Sequence, residues 1–315
     1  MKKLAVLDDY EELASQLGDW ERLSSEIRVD FYSDHLAHES AVAERLKSYD
    51  ILVIMRERTP FSRSLIEKLP NLKLLVTTGG RNRAIDLAAC KEKGIIVCGT
   101  QSGKHPAAEH AWALILSLVK RIPHSDRATR SGRWGGGING ELFGKRLGVL
   151  GLGNLGARVA AVGQAFGMEV FAWSQNLTAD RAAEVGVLRV EKDELFERSD
   201  ILTIHLVLSE RTRGIVGARE ISRMKRASFL VNTSRGPIVD EHALVDALRK
   251  NRIAGAGLDV FDIEPLPAGH PFLTLPNTVV TPHMGYVTEG NFNLYFKQAV
   301  EDVAAWLDGS PIRTL

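Results

Sequence analysis

Cysteine is nearly absent from this chain. Cys90 and Cys98 are the only two in 315 residues, too few for the disulfide framework of a secreted protein and without the spacing of a metal site. Cys98 closes the apolar run Ile95-Ile96-Val97-Cys98 and is expected to be a buried thiol. An excess of either charge is missing as well. The net charge is +1 and the basic residues are scattered, so no broad field favours nucleic acid or an anionic membrane. No apolar stretch reaches membrane-spanning length. The first one, Leu4-Ala5-Val6-Leu7, is cut short by Asp8 and Asp9, which makes it a strand and not a signal peptide. Internal repeats and low-complexity tracts are lacking too. These absences point to a soluble, cytoplasmic protein with neither nucleic-acid nor membrane partners. The composition, 44% hydrophobic and 25% charged, is that of a globular protein, and the length suits two domains.

Short β-branched runs alternate with helical patterns from end to end, which reads as α/β with parallel sheets. Strands are expected at 3–7, 29–32, 51–55, 74–77 and 95–98, with helices near 41–47, 63–68 and 86–93. The largely apolar run from Pro106 to Val119 reads as a long helix, with Pro106 in a first turn that has no use for its N–H. A glycine-rich loop follows at 131–137. From Leu147 the pattern resumes, with strands at 147–150, 170–173, 201–205, 229–232, 255–260 and 278–281. Helices are expected near 157–166, 192–197, 218–224 and 243–250. This second set matches a complete dinucleotide-binding sheet with right-handed crossovers. A last helix, near 293–307, is expected to return to the first domain. The expected fold is therefore two Rossmann-like doubly wound α/β domains. The substrate domain is discontinuous, residues 1–101 plus 286–315, and the dinucleotide-binding domain spans 102–285.

The most informative stretch is Gly151-Leu152-Gly153-Asn154-Leu155-Gly156, set between the strand 147–150 and a helix. In that setting Gly151 permits a tight turn and Gly153 lets backbone approach a pyrophosphate. Gly156 lets helix and strand pack closely. The N–H groups at the helix start, near Asn154 and Leu155, then face the phosphates.

Three polar residues stand beyond the ends of successive strands. Arg235 closes Val231-Asn232-Thr233-Ser234-Arg235-Gly236, Glu264 closes Leu258-Asp259-Val260-Phe261-Asp262-Ile263-Glu264, and His283 lies in Thr281-Pro282-His283-Met284-Gly285. In open α/β sheets the ligand crevice lies outside the carboxyl ends of the strands, so the three are placed to converge. Alone, each also reads as an ordinary loop side chain; their order on successive strands is what joins them. Arginine holds a carboxylate through two hydrogen bonds, and histidine exchanges protons near neutrality. A carboxylate beside the histidine orients it and favours its charged form. With a nicotinamide adjacent, this set suits reduction of a 2-oxo acid, His283 protonating the oxygen and Arg235 anchoring the carboxylate.

On these motifs, together with Pro237-Ile238-Val239-Asp240, the sequence resembles the D-isomer-specific 2-hydroxyacid dehydrogenases from about Ile51 to Trp306. The resemblance implies an NAD- or NADP-dependent oxidoreductase acting on a small 2-oxo or 2-hydroxy acid, with Arg235 as the substrate-binding arginine. Glu264 is then the acid paired with histidine and His283 the proton donor/acceptor. It implies that Gly79 and Gly80, in Thr77-Thr78-Gly79-Gly80, cradle the substrate carboxylate through backbone N–H groups; a plain glycine turn is equally compatible with the sequence. Thr78 and Arg56 join them as candidate substrate contacts. Asp259 is expected near the nicotinamide, and Thr233, Ser234 and Gly285 beside the cofactor. A homodimer is implied, with the helix from Pro106 to Val119 as a candidate interface unless its apolar face is buried within one subunit. Glyoxylate or hydroxypyruvate is the leading substrate, and no appended regulatory domain is expected. Two alternatives stay open: an NAD(H)-sensing protein like the co-repressors of this family, and a formate- or phosphite-type dehydrogenase.

One departure matters. A fold that prefers NAD usually carries an acidic residue ~20 residues after the glycines, bonded to the ribose 2′-OH. Here the corresponding strand ends in Ser174-Gln175-Asn176, which bond either form of the ribose, and the nearest arginine is Arg181. His105, Trp134 and His205 admit both a site role and an ordinary structural one.

Overall fold

The computed structural model of the chain describes every residue except Gly136, so that part of the expected loop at 131–137 lies outside the described residues. The chain forms two compact units, Met1–Gly103 with Val287–Leu315, and Lys104–Tyr286.

In the first unit, strands β1 (Lys2–Val6), β2 (Ile27–Phe31), β3 (Ile51–Ile54), β4 (Leu74–Thr77) and β5 (Ile96–Gly99) form a parallel sheet of order β2-β1-β3-β4-β5. Every residue of β3 and β4 is buried, as expected of apolar runs covered on both faces of a parallel sheet. Helices Glu39–Leu46, Arg63–Glu67 and Leu87–Glu92 contribute Val42, Leu46, Leu65, Ile66 and Cys90 to a core with Leu52, Ile54 and Leu75. Two of these helices begin on side-chain caps, Ser62 accepting from the Leu65 N–H and Asp86 from the Ala89 N–H, which satisfy donors a helix start leaves open. Helix Glu289–Leu307 packs on β4 and buries Phe292, Tyr295 and Phe296. Cys90 and Cys98 are both buried, and burial pushes their thiols up, to about 11 and about 12.

The second unit holds β6 (Arg146–Leu150), β7 (Glu169–Trp173), β8 (Leu188–Arg189), β9 (Ile201–Ile204), β10 (Phe229–Asn232), β11 (Gly255–Leu258) and β12 (Thr278–Val280). Their order is β12-β11-β10-β9-β6-β7-β8, all pairs parallel. This is the doubly wound arrangement expected, with additions. The short strand β8 makes the sheet seven-stranded, a short helix, Ala179–Ala183, precedes it, and a polar helix, Ile122–Arg130, follows the long one. The long helix Pro106–Val119 buries Ala111, Trp112, Leu114, Ile115 and Leu118 in its own unit's core, against Leu147, Val159 and Val170. Its apolar face is thus satisfied without a second subunit. Among the described residues, no helix is long and apolar enough to cross a membrane.

Candidate active site

The glycine turn joins β6 to helix Asn154–Ala165. Gly151 has φ +104°, and a Cβ there would stand 2.7 Å from the His205 carbonyl oxygen, so both conformation and space call for glycine. A Cβ on Gly156 would lie 2.0 Å from the Gly151 oxygen, whereas one on Gly153 would meet nothing within 4 Å. The helix therefore starts tight against the turn while open space faces its first N–H groups, with Gly153, Asn154 and Leu155 exposed there. A pyrophosphate fits this arrangement, since helix-start N–H groups and the helix dipole favour an anion.

Arg235, Glu264 and His283 follow β10, β11 and β12, which are neighbours in the sheet. The structure joins Glu264 and His283 directly: His283 Nδ1 lies 2.6 Å from Glu264 Oε2. The other carboxylate oxygen accepts from the Phe261 N–H at 2.8 Å, which fixes the acid's orientation. His283 itself has φ +51° and its ring meets Tyr286 edge-on at 5.7 Å. Arg235 is half-buried, donating through Nη1 to the Ser234 carbonyl at 2.7 Å, and its own carbonyl accepts from Asn232 Nδ2 at 2.9 Å. The arginine loop and the Glu264 loop interlock at Gly236, where a Cβ would fall 2.1 Å from the Phe261 carbonyl carbon. Glu241 adds a second tie, accepting from the Asp262 N–H at 3.2 Å and meeting His270 Nε2 at 2.9 Å.

Several expected cofactor contacts have partners of their own. Asp259 is 1% exposed. Its Oδ1 accepts from the Thr281 hydroxyl and the Met284 N–H, its Oδ2 from the Gly285 N–H. Its first task is therefore to hold the His283 loop. Burial alone would raise its carboxyl, but hydrogen bonds led by those from His110 and Thr281 hold it below the usual range. The Ser234 hydroxyl donates to the Ile204 carbonyl at 2.7 Å, while Thr233 is half-buried beside it. Ser174 is half-buried and Gln175 and Asn176 are exposed in the turn after β7, open to a ribose. Arg181 pairs with Glu184. His105 lies against Arg158 at 2.8 Å, and Trp134 is 94% exposed.

His205 follows β9, with Nε2 2.9 Å from Thr203 Oγ1. Burial lowers its imidazole from 6.5 to about 4, so the folded chain keeps it neutral. The sign follows directly. The unfolded chain takes up the proton first, so this contribution to stability is full above 6.5 and is lost as pH falls toward 4. The loss amounts to roughly 3 kcal/mol at most. We expect the unfolding free energy of His205→Gln, measured in urea across that window, to fall less steeply than that of the wild type. Equal slopes would refute the assignment.

In the first unit, Arg56 (φ +51°) follows β3. Thr78 is fully buried, its hydroxyl accepting from the Arg56 N–H at 3.0 Å and lying 3.2 Å from Met55 Sδ, which fixes the backbone at Arg56. The Gly79 N–H donates to Thr100 Oγ1 at 2.8 Å. At φ +88°, a Cβ on Gly79 would stand 2.1 Å from Arg56 Nη1. Asn82, not singled out in the sequence, ties the loop together, donating to the Arg56 carbonyl at 2.5 Å and to Thr77 Oγ1 at 3.0 Å.

Comparison with known proteins agrees with this picture. Residues 112–285 match the D-isomer specific 2-hydroxyacid dehydrogenase, NAD binding domain. The chain is 33% identical over 290 residues to D-3-phosphoglycerate dehydrogenase of Bacillus subtilis, covering 91% of this chain and 55% of that one. It spans about half the length of the D-3-phosphoglycerate dehydrogenases it matches first. Hydroxypyruvate reductase of Blautia hydrogenotrophica matches at 31% identity, with 99% of each chain covered. The solved structure of a phosphoglycerate oxidoreductase from Vibrio cholerae superposes with a TM-score of 0.92 at 36% identity, covering 98% of this chain and 100% of that one. With its NAD-binding sheet, its glycine turn and these relatives, the chain belongs to the D-isomer-specific 2-hydroxyacid dehydrogenase family.

Proposed function

We propose that the chain interconverts a 2-oxo acid and a D-2-hydroxy acid, with His283 exchanging the proton. The 2.6 Å pairing of His283 with Glu264 carries this reading. With Nδ1 engaged by the carboxylate, Nε2 is the ring atom left to give a proton to a carbonyl oxygen, or to take one from a hydroxyl. Glu264 keeps the ring in place and steadies the charge it gains and loses. Arg235 binds the substrate carboxylate, and Arg56, Gly79 and Gly80 are proposed as further substrate contacts, Gly79 through its place in the loop. A nicotinamide cofactor, bound at the glycine turn, supplies or accepts the hydride at carbon. Hydride and proton together turn the carbonyl into a hydroxyl, and no other co-reactant is required.

Ser174, Gln175 and Asn176 would hold the cofactor's ribose, and no carboxylate stands among them to repel a 2′-phosphate. We therefore expect NADPH to serve alongside NADH. Glyoxylate or hydroxypyruvate is the proposed substrate, in line with the relative named hydroxypyruvate reductase that matches along its whole length. The co-repressor and formate- or phosphite-type alternatives are not favoured, because the relatives are named dehydrogenases and reductases of 2-hydroxy acids. The test is steady-state oxidation of NADPH and NADH against glyoxylate, hydroxypyruvate, pyruvate and phenylpyruvate. Comparable kcat/KM for the two cofactors is expected; a large preference for NADH would overturn the ribose assignment, and no turnover with any acid would overturn the function. A cytoplasmic homodimer is part of the proposal. A sedimentation mass of one chain would end the dimer.

A further inference from the structure

We propose that His110 is a positioning residue that sets the His283 loop through Thr281 and Asp259. This rests on the reading of His283 as the proton donor/acceptor. Asp259 leaves β11 as a buried carboxylate, a group that persists in a protein interior only when hydrogen-bonded. Its partners are the Thr281 hydroxyl at 2.6 Å and the N–H groups of Met284 and Gly285, each at 2.9 Å. These flank His283 on both sides. The loop that carries the proton-exchanging ring, at a backbone φ of +51°, thus hangs from one carboxylate.

His110 closes the arrangement from helix Pro106–Val119. Its Nε2 lies 2.9 Å from Thr281 Oγ1 and 3.1 Å from Asp259 Oδ1. Thr281 has a single hydroxyl proton, and that proton goes to Asp259. His110 Nε2 must therefore carry hydrogen and act as donor. The ring also bounds Gly285: a Cβ there would sit 3.1 Å from Asp259 Oδ2 and 3.6 Å from His110 Cδ2. The helix beneath is rigid, its apolar side buried in the unit's core. A packed helix is joined by one imidazole to the loop that must hold His283 in register with Glu264. Removing that imidazole leaves Asp259 short of a donor and Thr281 able to rotate, and the His283 ring loses its fixed setting.

The experiment compares His110→Ala, His110→Gln, Thr281→Val and Thr281→Ser with the wild type. In His110→Ala and Thr281→Val, kcat for the 2-oxo acid should fall about ten- to a hundredfold, the range a small misplacement produces. The KM for that acid and the Kd for NADPH, followed by fluorescence titration, should stay within about twofold, since neither His110 on its helix nor Thr281 ahead of the loop is assigned to a ligand. The double variant should lose little more than the worse single one, because both act through the same carboxylate. His110→Gln and Thr281→Ser, which keep a donor in place, should recover most of the rate. In protein without cofactor, the ¹⁵N-labelled His283 ring should give one sharp set of resonances in the wild type and broadened or shifted ones in His110→Ala. Unchanged kcat with an unchanged His283 ring signal would overturn the proposal, as would losses that simply multiply. If His110→Ala fails to fold, the Thr281 pair decides alone: equal rates for Thr281→Val and Thr281→Ser would overturn it. A wild type that reduces no 2-oxo acid would sink the proposed function instead, and the ring spectra would still decide this inference.

Discussion

His283→Ala should lower kcat for 2-oxo acid reduction by about 10²–10⁴-fold, the usual worth of a positioned general acid. The reason lies in the ring's two nitrogens. Nδ1 is held by Glu264 at 2.6 Å, so the variant removes the proton carrier while leaving the glycine turn untouched. Cofactor affinity should therefore hardly change, which separates this loss from a general collapse of the site. Glu264→Gln should fall between the variant and the wild type, because an amide still meets the ring but no longer offsets its charge. Parallel kcat and cofactor titrations check the expectation. A His283→Ala enzyme that keeps near-normal kcat would show that the proton comes from elsewhere.

Gly236→Ala should have the next largest effect, although the added methyl touches no ligand. That methyl would arrive 2.1 Å from the Phe261 carbonyl carbon, 2.2 Å from its oxygen and 2.6 Å from the Asp262 nitrogen. All three are backbone atoms and none swings aside as a long side chain does. The loop after β10 and the loop after β11 must part, one carrying Arg235 and the other Glu264. A displacement on the order of 1 Å at such a site lowers kcat/KM by about a hundredfold, and overpacking of this kind destabilises by about 1–3 kcal/mol. Urea unfolding and steady-state kinetics on the same preparation measure both. Normal kcat/KM in a folded Gly236→Ala protein would mean that the loops move independently of the chemistry.

Much of this was legible in the sequence, and the reasons are physical. The strands β4 and β10 lie where their apolar runs place them, because a parallel strand covered on both faces has no choice of register. The turn at Gly151 and the order of Arg235, Glu264 and His283 on successive strands were legible because strand ends carry their own markers. What stayed hidden depends on contacts between distant segments. His110 sits in an apolar helix, and its partner Thr281 is 171 residues away, so no local pattern distinguishes it. Thr78 stands beside two glycines in the sequence, and only the fold shows its hydroxyl turned inward to the Arg56 N–H. Strand β8 escaped because its two residues, exposed Leu188 and half-buried Arg189, make no apolar run. The helix Ile122–Arg130 escaped because it is polar and carries Pro123 near its start.

Arg235, Glu264 and His283 hang from β10, β11 and β12, adjacent strands of one sheet, and the loops of the first two are locked at Gly236. Their spacing is thus inherited as a block. Mutations around Arg56 and Gly80, carried by a different compact unit, leave that block unaltered. Under the proposed function, with Arg56 and Gly80 meeting the acid, exchange of first-unit loops alters the choice of acid while the Arg235, Glu264 and His283 block passes on unchanged. Chimaeras built to test this keep the second unit and vary the first.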